Sequence, residues 1–298
     1  MSSSGLQFAT IAVATDLSDS SSAALRYAQS IARTYASTLV VIHVIDPMAY
    51  AFPEGAPEFL AANKSAREEL NRIEEDARSQ GITVHSVVES GVVCERILQS
   101  VHGHHADLLI LGTRGRTEAG RVALGSIARQ LLARAHFPVM TISPEAAMAM
   151  PWAGRCRKVL AATDFSSASI AGIQFAHQVA LRQLVALHVS NFSNGESEQG
   201  CWHCLEKLRY LAPLNESHTV PVEHIVVSGD AGERIAEYAA KVGADLVVLG
   251  SPVNELAEAD LYTSTVLQVI SKVSCPVLCV PYVPAAAVKV PTREAVSV

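Results

Sequence analysis

Short apolar runs of strand length recur along the chain, each ending in Asp, Gly or Pro. In the first half they lie near residues 9–15, 38–45, 82–89, 107–111 and 138–143. Between them the apolar positions take helical spacing, over about 19–35, 57–80, 92–104 and 125–135. Ser18 or Asp19 stands where the first of these helices needs a cap. Strands that alternate with helices predict βαβ units. Right-handed crossovers then predict a parallel sheet with helices on both faces, an α/β fold.

The pattern runs twice. Thr15-Asp16-Leu17-Ser18 recurs as Thr163-Asp164-Phe165-Ser166, and Leu39–Val44 recurs as Leu184–Val189. Gly91 with Glu95-Arg96-Ile97 recurs as Gly229 with Glu233-Arg234-Ile235, and Ala106–Gly112 recurs as Ala244–Gly250. Phe137-Pro138-Val139 recurs as Cys275-Pro276-Val277. The period is far too long for a solenoid, so two whole domains in tandem are expected. They are placed at 1–145 and 156–284, with Pro144 to Cys156 as linker and 285–298 as an irregular tail.

Composition narrows the class. Hydrophobic residues make up 49% and charged residues 17%, which suits well-buried cores. A net charge of −6 gives no general footprint for nucleic acid or an anionic membrane. No apolar run reaches the roughly 20 residues of a membrane helix. The opening MSSSGLQFATIAVATD lacks a basic n-region and a long apolar h-region, so no signal peptide is expected. Six cysteines are too sparse for a disulfide scaffold, and a cytoplasmic protein is expected.

The candidate chemistry lies in one loop. Gly112-Thr113-Arg114-Gly115 is followed by nine residues and then Gly125-Ser126. Gly112 closes an apolar strand, and Gly125-Ser126 opens an amphipathic helix. Free amides at a helix start, with the positive end of its dipole, favour an anion. Glycines admit positive φ and close approach of a ligand, and Ser126 can cap the helix or donate to a phosphate. Arg114, Arg116 and Arg121 against Glu118 leave the loop at +2. The second copy keeps the frame but not the chemistry: Gly250-Ser251-Pro252-Val253, nine residues, Thr263-Ser264. Glu255, Glu258 and Asp260, with no base, put it at −3. Neither a Walker loop nor GxGxxG is present. The first loop therefore reads as a phosphate cradle and the second as one that has lost it.

Thr15-Asp16-x-Ser18, His43-Val44 and the Gly-2x-Gly-9x-Gly-Ser frame together resemble the universal stress protein family, over nearly the whole chain and twice. The resemblance implies two doubly wound, five-stranded parallel sheets of order 3-2-1-4-5, Rossmann-like and adenine nucleotide alpha hydrolase-like. Ligand is then expected at the switch point outside strands one and four, where Asp16 and Gly112 lie. It implies ATP binding in the first domain. Ala14, Thr15, Asp16 and Val44 would hold adenine and ribose. Gly112, Arg114, Gly115, Gly125, Ser126 and Ile127 would surround the phosphates, with Mg²⁺ as screening ion. Family members often dimerise through the last strand. Here Val139–Ile142 and Val277–Val280 could pair within one chain as a pseudo-dimer, with a homodimer of chains as a further option.

Three functions stay open at this point: an ATP-binding stress-response regulator with unknown protein partners, a slow ATPase, and a ligand-free scaffold. No residue stands out as a catalytic group to position water at a γ-phosphate. Cys201-Trp202-His203-Cys204 reads as an ordinary helix face, with zinc or redox chemistry as the sharper alternative. His43 and His188 read as packing residues at strand ends.

Overall fold

The computed structural model describes residues 8–50, 55–113, 124–148, 156–190, 198–213, 220–253 and 264–282. The first half runs β1 (Thr10–Ala14), α1 (Asp19–Tyr35), β2 (Thr38–Ile45), α2 (Gly55–Ser79), β3 (Val84–Ser90), α3 (Val93–Gly103), β4 (Leu108–Gly112), α4 (Ser126–Arg134) and β5 (Val139–Ile142). A 3₁₀ turn, Pro47–Tyr50, follows β2, and a short helix α5 (Pro144–Met148) follows β5. The second half repeats the order as β6 (Lys158–Thr163), α6 (Ser167–Val179), β7 (Gln183–Ser190), α7 (Glu198–Leu211), β8 (Val222–Ser228), α8 (Ala231–Val242), β9 (Leu246–Pro252), α9 (Ser264–Lys272) and β10 (Val277–Tyr282).

Among the described residues the strands form one sheet in the order β3-β2-β1-β4-β5-β10-β9-β6-β7-β8. Each half is parallel inside and has the expected 3-2-1-4-5 order. The halves join where β5 meets β10 antiparallel, with Val139 opposite Cys279, Met140 opposite Leu278 and Thr141 opposite Val277. The two last strands thus pair within one chain, and each covers the other's open edge.

The inner strands read as nearly unbroken apolar runs because both faces are covered, whereas the edge strands β3 and β8 carry polar residues and are mostly half-buried. Side chains alternate between two cores. Ile11, Val13, Leu39, Val41, Leu108 and Ile110 pack with α1 and α2 on one face. Ala12, Val40, Ile42, Leu109 and Leu111 pack with α3 and α4 on the other. The second half does the same, with α6 and α7 on the first face and α8 and α9 on the second. The repeated Ala-Asp-Leu triplet has a local reason. Asp107 Oδ2 accepts from the amides of Ala9 and Thr10 at 2.7 and 3.0 Å and so ties the start of β4 to β1. Asp245 does the same for Arg157 and Lys158 at 3.0 and 2.9 Å.

The segment expected as linker begins as helix α5. Pro144 takes the first helical position, where its missing N–H costs nothing. The Ser143 hydroxyl accepts from the Ala146 amide at 3.0 Å, and Ala146 is buried in the core beside α1. A five-residue helix is too short to show periodicity in sequence. Residues 149–155 and the tail 285–298 lie outside the described residues.

Gly250 is held by packing. A Cβ there would overlap the Ala168 carbonyl and the Ser169 Cα at the start of α6. Gly172, one turn along, brings α6 so close that its own Cβ would lie 2.9 Å from the Gly250 amide nitrogen. Gly250→Ala should therefore lose about 1–3 kcal/mol in chemical denaturation, as overpacked cores do. Gly103→Ala is the control, since nothing lies within 4 Å of a Cβ there. Equal stability of Gly250→Ala and wild type would contradict this packing.

Candidate functional site

A turn of unusual backbone opens the site. After β1 the chain enters Leu17 at φ 62°, a left-handed conformation that a branched side chain rarely adopts. The Thr15 hydroxyl holds it there by accepting from the Leu17 amide at 3.0 Å. Thr15 Oγ1 also lies 2.8 Å from Ser21 Oγ on α1. Ser18 is the N-cap of α1 and accepts from the Ser21 amide. Asp16 Oδ1 accepts from the Ser18 amide at 3.1 Å and the Ser18 hydroxyl at 2.6 Å. The buried His43 ring places Nδ1 2.9 Å from the Thr15 carbonyl oxygen, which locks the turn to β2. His43 is thus a packing residue with a defined partner.

Strand lengths leave an exposed edge beside this turn. β1 pairs with β2 as far as Ala14 opposite Ile42, yet β2 continues to Ile45. The backbone around Val44 therefore runs past the end of its neighbour. The chain leaves β1 for α1 on one face and leaves β4 for α4 on the other, so a crevice opens between β1 and β4.

That crevice is a cavity of about 450 Å³, within the range that holds small ligands. Ala14, Thr15, Asp16, Val44, Gly112, Gly125, Ser126 and Ile127 all line it. Arg114 and Gly115 lie outside the described residues. Ser21, Asp46 and Ala49 also line it and escaped the sequence reading. Asp46 directly follows β2, and Ala49 comes from the 3₁₀ turn after it, which has no period to reveal it. The carboxyl end of a strand at the switch point was the available signal for Asp46.

Two features of the phosphate end differ from expectation. Gly125, not Ser126, is the N-cap of α4, and no side chain caps that helix start. Ser126 is instead its first helical residue. By contrast α1, α6 and α8 are capped by Ser18, Ser166 and Asp230. The first amides of α4 therefore face the cavity without a side-chain acceptor from the cap. Gly125 itself has φ −58°, which any residue can adopt. A Cβ on it would meet only the Thr113 carbonyl oxygen, at 3.9 Å. Neither backbone strain nor packing within the described chain demands glycine there.

The second half builds the same turn. Thr163 Oγ1 accepts from the Phe165 amide at 2.9 Å, Phe165 has φ 65°, and His188 Nδ1 lies 2.8 Å from the Thr163 carbonyl oxygen. It encloses a cavity of the same volume, about 450 Å³, lined by Thr163, Asp164, Val189 and Gly250 among others. The difference lies at the far end. β9 and β10 each run two residues further than β4 and β5, pairing Ser251 with Pro281 and Pro252 with Tyr282. Pro252 and Tyr282 line this cavity, whereas β4 and β5 end at Gly112 and Ile142. Thr263 and the residues 254–262 lie outside the described residues.

Other candidates contribute less. Cys201 and Cys204 sit inside α7, which begins three residues before Cys201. Cys201 is exposed and Cys204 half-buried, both as free thiols. Among the described residues no group of three or more His, Cys, Asp or Glu is arranged to hold a metal ion. Burial pushes the Cys275 and Cys279 thiols up to about 12, consistent with small apolar packing.

Comparisons with known proteins bear on both halves. The sequence model of the universal stress protein family matches residues 7–143 and again 155–281. Universal stress protein MJ0531 of Methanocaldococcus jannaschii is 30% identical over 136 residues, 44% of this chain and 80% of that one. A universal stress protein of Thermus aquaticus is 32% identical over 139 residues, 45% of this chain and 98% of that one. A universal stress protein structure from Archaeoglobus fulgidus shares the fold with a TM-score of 0.70 at 19% identity, covering 92% of this chain and 97% of that one.

Thr15→Val tests the turn. It keeps the shape but leaves the Leu17 amide without its acceptor, which should cost about 1–3 kcal/mol in urea denaturation. Thr163→Val should cost a similar amount for the Phe165 amide. A loss below about 0.5 kcal/mol in both would show that these hydroxyls do not hold the turns.

Proposed function

The chain belongs to the universal stress protein family, and on that premise we propose that it is an ATP-binding, stress-response regulatory protein with its nucleotide site in the first half. Adenine would lie against Ala14 and Val44, with its edge toward the backbone of β2 beyond the end of β1. Asp16 would accept from the ribose hydroxyls, beside Thr15. The triphosphate would lie along Gly112, Arg114, Gly115, Gly125, Ser126 and Ile127, where the uncapped start of α4 supplies amides and the loop's arginines supply charge. A divalent ion such as Mg²⁺ would arrive with the nucleotide, held mainly by phosphate oxygens and water, since the described residues gather no ligand cluster of their own. Binding in this reading changes shape or partners, and the soluble chain acts in the cytoplasm.

The observation that carries the reading is Gly125. Its φ suits any residue and a Cβ would find ordinary contact, so packing among the described residues does not explain a glycine. Close approach of a ligand does explain it. Gly250 is the contrast, a glycine of the same frame that its own helix requires. The second half is proposed as the structural and regulatory partner. Its loop has lost the arginines and two glycines, and it carries Glu255, Glu258 and Asp260.

Gly125→Ala separates these roles. It should leave thermal stability within about 0.5 kcal/mol of wild type. In calorimetric titration it should weaken ATP roughly tenfold or more, as expected when about 1.4 kcal/mol of phosphate contact is lost. Gly115→Val should abolish binding in the same assay. Undiminished ATP affinity in both variants would remove the phosphate cradle from this loop.

A further inference from the structure

Helix α7 is anchored through its second half. Leu208, and Ala212 just past the helix end, are fully buried. The Ala212 carbonyl oxygen lies 2.7 Å from Nε2 of His224 on β8. The Lys207 ammonium sits 5.5 Å from the centre of the Phe165 ring. From Cys201 to Glu206, by contrast, no residue is buried. These early turns can deform without opening the core.

Two thiols stand on that loose stretch. Cys201 is exposed, and Cys204, three residues on, is half-buried. The other four cysteines differ. Cys94, Cys156 and Cys279 are buried, and burial raises their thiols, as it does that of the half-buried Cys275. Such thiols stay protonated and inert. In an α-helix, Cα atoms three residues apart lie about 5 Å from each other, within the span of a disulfide. Their Cβ atoms lie about 5–6 Å apart, against roughly 4 Å in a disulfide. The bond is therefore within reach but strains its turn, and this turn of α7 can give. Strained and exposed disulfides are the ones that reductants reopen.

We propose that Cys201 and Cys204 are a reversible thiol–disulfide site that hydrogen peroxide oxidises. The exposed Cys201 sulfur attacks one peroxide oxygen, the O–O bond breaks, and the sulfur becomes a sulfenic acid as water leaves. The Cys204 sulfur then attacks the sulfenic sulfur, the S–O bond breaks, and the disulfide forms with loss of a second water. In all, two thiols give up two electrons and two protons, and one peroxide becomes two waters. No described residue of α7 lines either crevice. The site thus gives the second half an oxidant-responsive element separate from both.

Peptide mapping of the full chain tests this. The reduced protein is treated with hydrogen peroxide in slight excess, denatured and alkylated. The expected result is loss of two of the six thiols, a link between Cys201 and Cys204, and recovery of all six after dithiothreitol. Cys204→Ser should form no link and should stop at the sulfenic acid, which dimedone traps on Cys201. That variant should unfold at the wild-type temperature, which reports an intact fold. Six alkylated thiols in wild type after peroxide, a link through another cysteine or between two chains, oxidation that dithiothreitol does not reverse, or no dimedone adduct in Cys204→Ser would each overturn the inference.

Discussion

The reversal of strand order at β1 and β4, and at β6 and β9, is the constraint on which the rest depends. Neighbouring strands send their chains to opposite faces of the sheet, so no helix can cover the gap between them. A crevice follows from topology alone, whatever lines it. This explains why both halves enclose cavities of the same volume although their loops have diverged. It also explains the strained turns at Leu17 and Phe165. Each must turn the chain sharply from a strand end onto a helix, and each uses a threonine hydroxyl and a buried histidine to hold the turn.

Duplication makes the chain its own control. Two glycines of one frame can be kept for different reasons, and the geometry separates them. Gly250 sits under the start of α6, where any side chain collides with backbone. Gly125 sits at a helix start where, among the described residues, a methyl group would fit. Divergence then acts on the end of the crevice and spares its walls. At that end the second half has two more residues of ladder, and Pro252 and Tyr282 line its crevice.

Much of this was legible in sequence. Nearly continuous apolar runs mark the inner strands as covered on both faces, and the repetition of the whole pattern gives the two halves and the edges that pair. Eight of the proposed site residues meet at one cavity because the switch-point rule depends only on strand order. Other features were not legible. Helix α5 is shorter than two turns and hides in a Pro- and Ala-rich stretch. The cap of α4 fell on Gly125 instead of Ser126, because a glycine followed by a serine marks a helix start only to within a residue. Ala49 reaches the cavity from a 3₁₀ turn that has no sequence period, and Asp46 from the residue before that turn. Asp107 looked like part of a strand motif, and only its contacts with the Ala9 and Thr10 amides reveal a tie between strands.

The central claim is asymmetry between two halves of one fold. The number of ATP molecules bound per chain at saturation, measured on the intact protein by calorimetric titration, tests it most directly. The account predicts one. Two would show that the second crevice also accepts a triphosphate, and none would leave the first loop without the ligand its sequence favours.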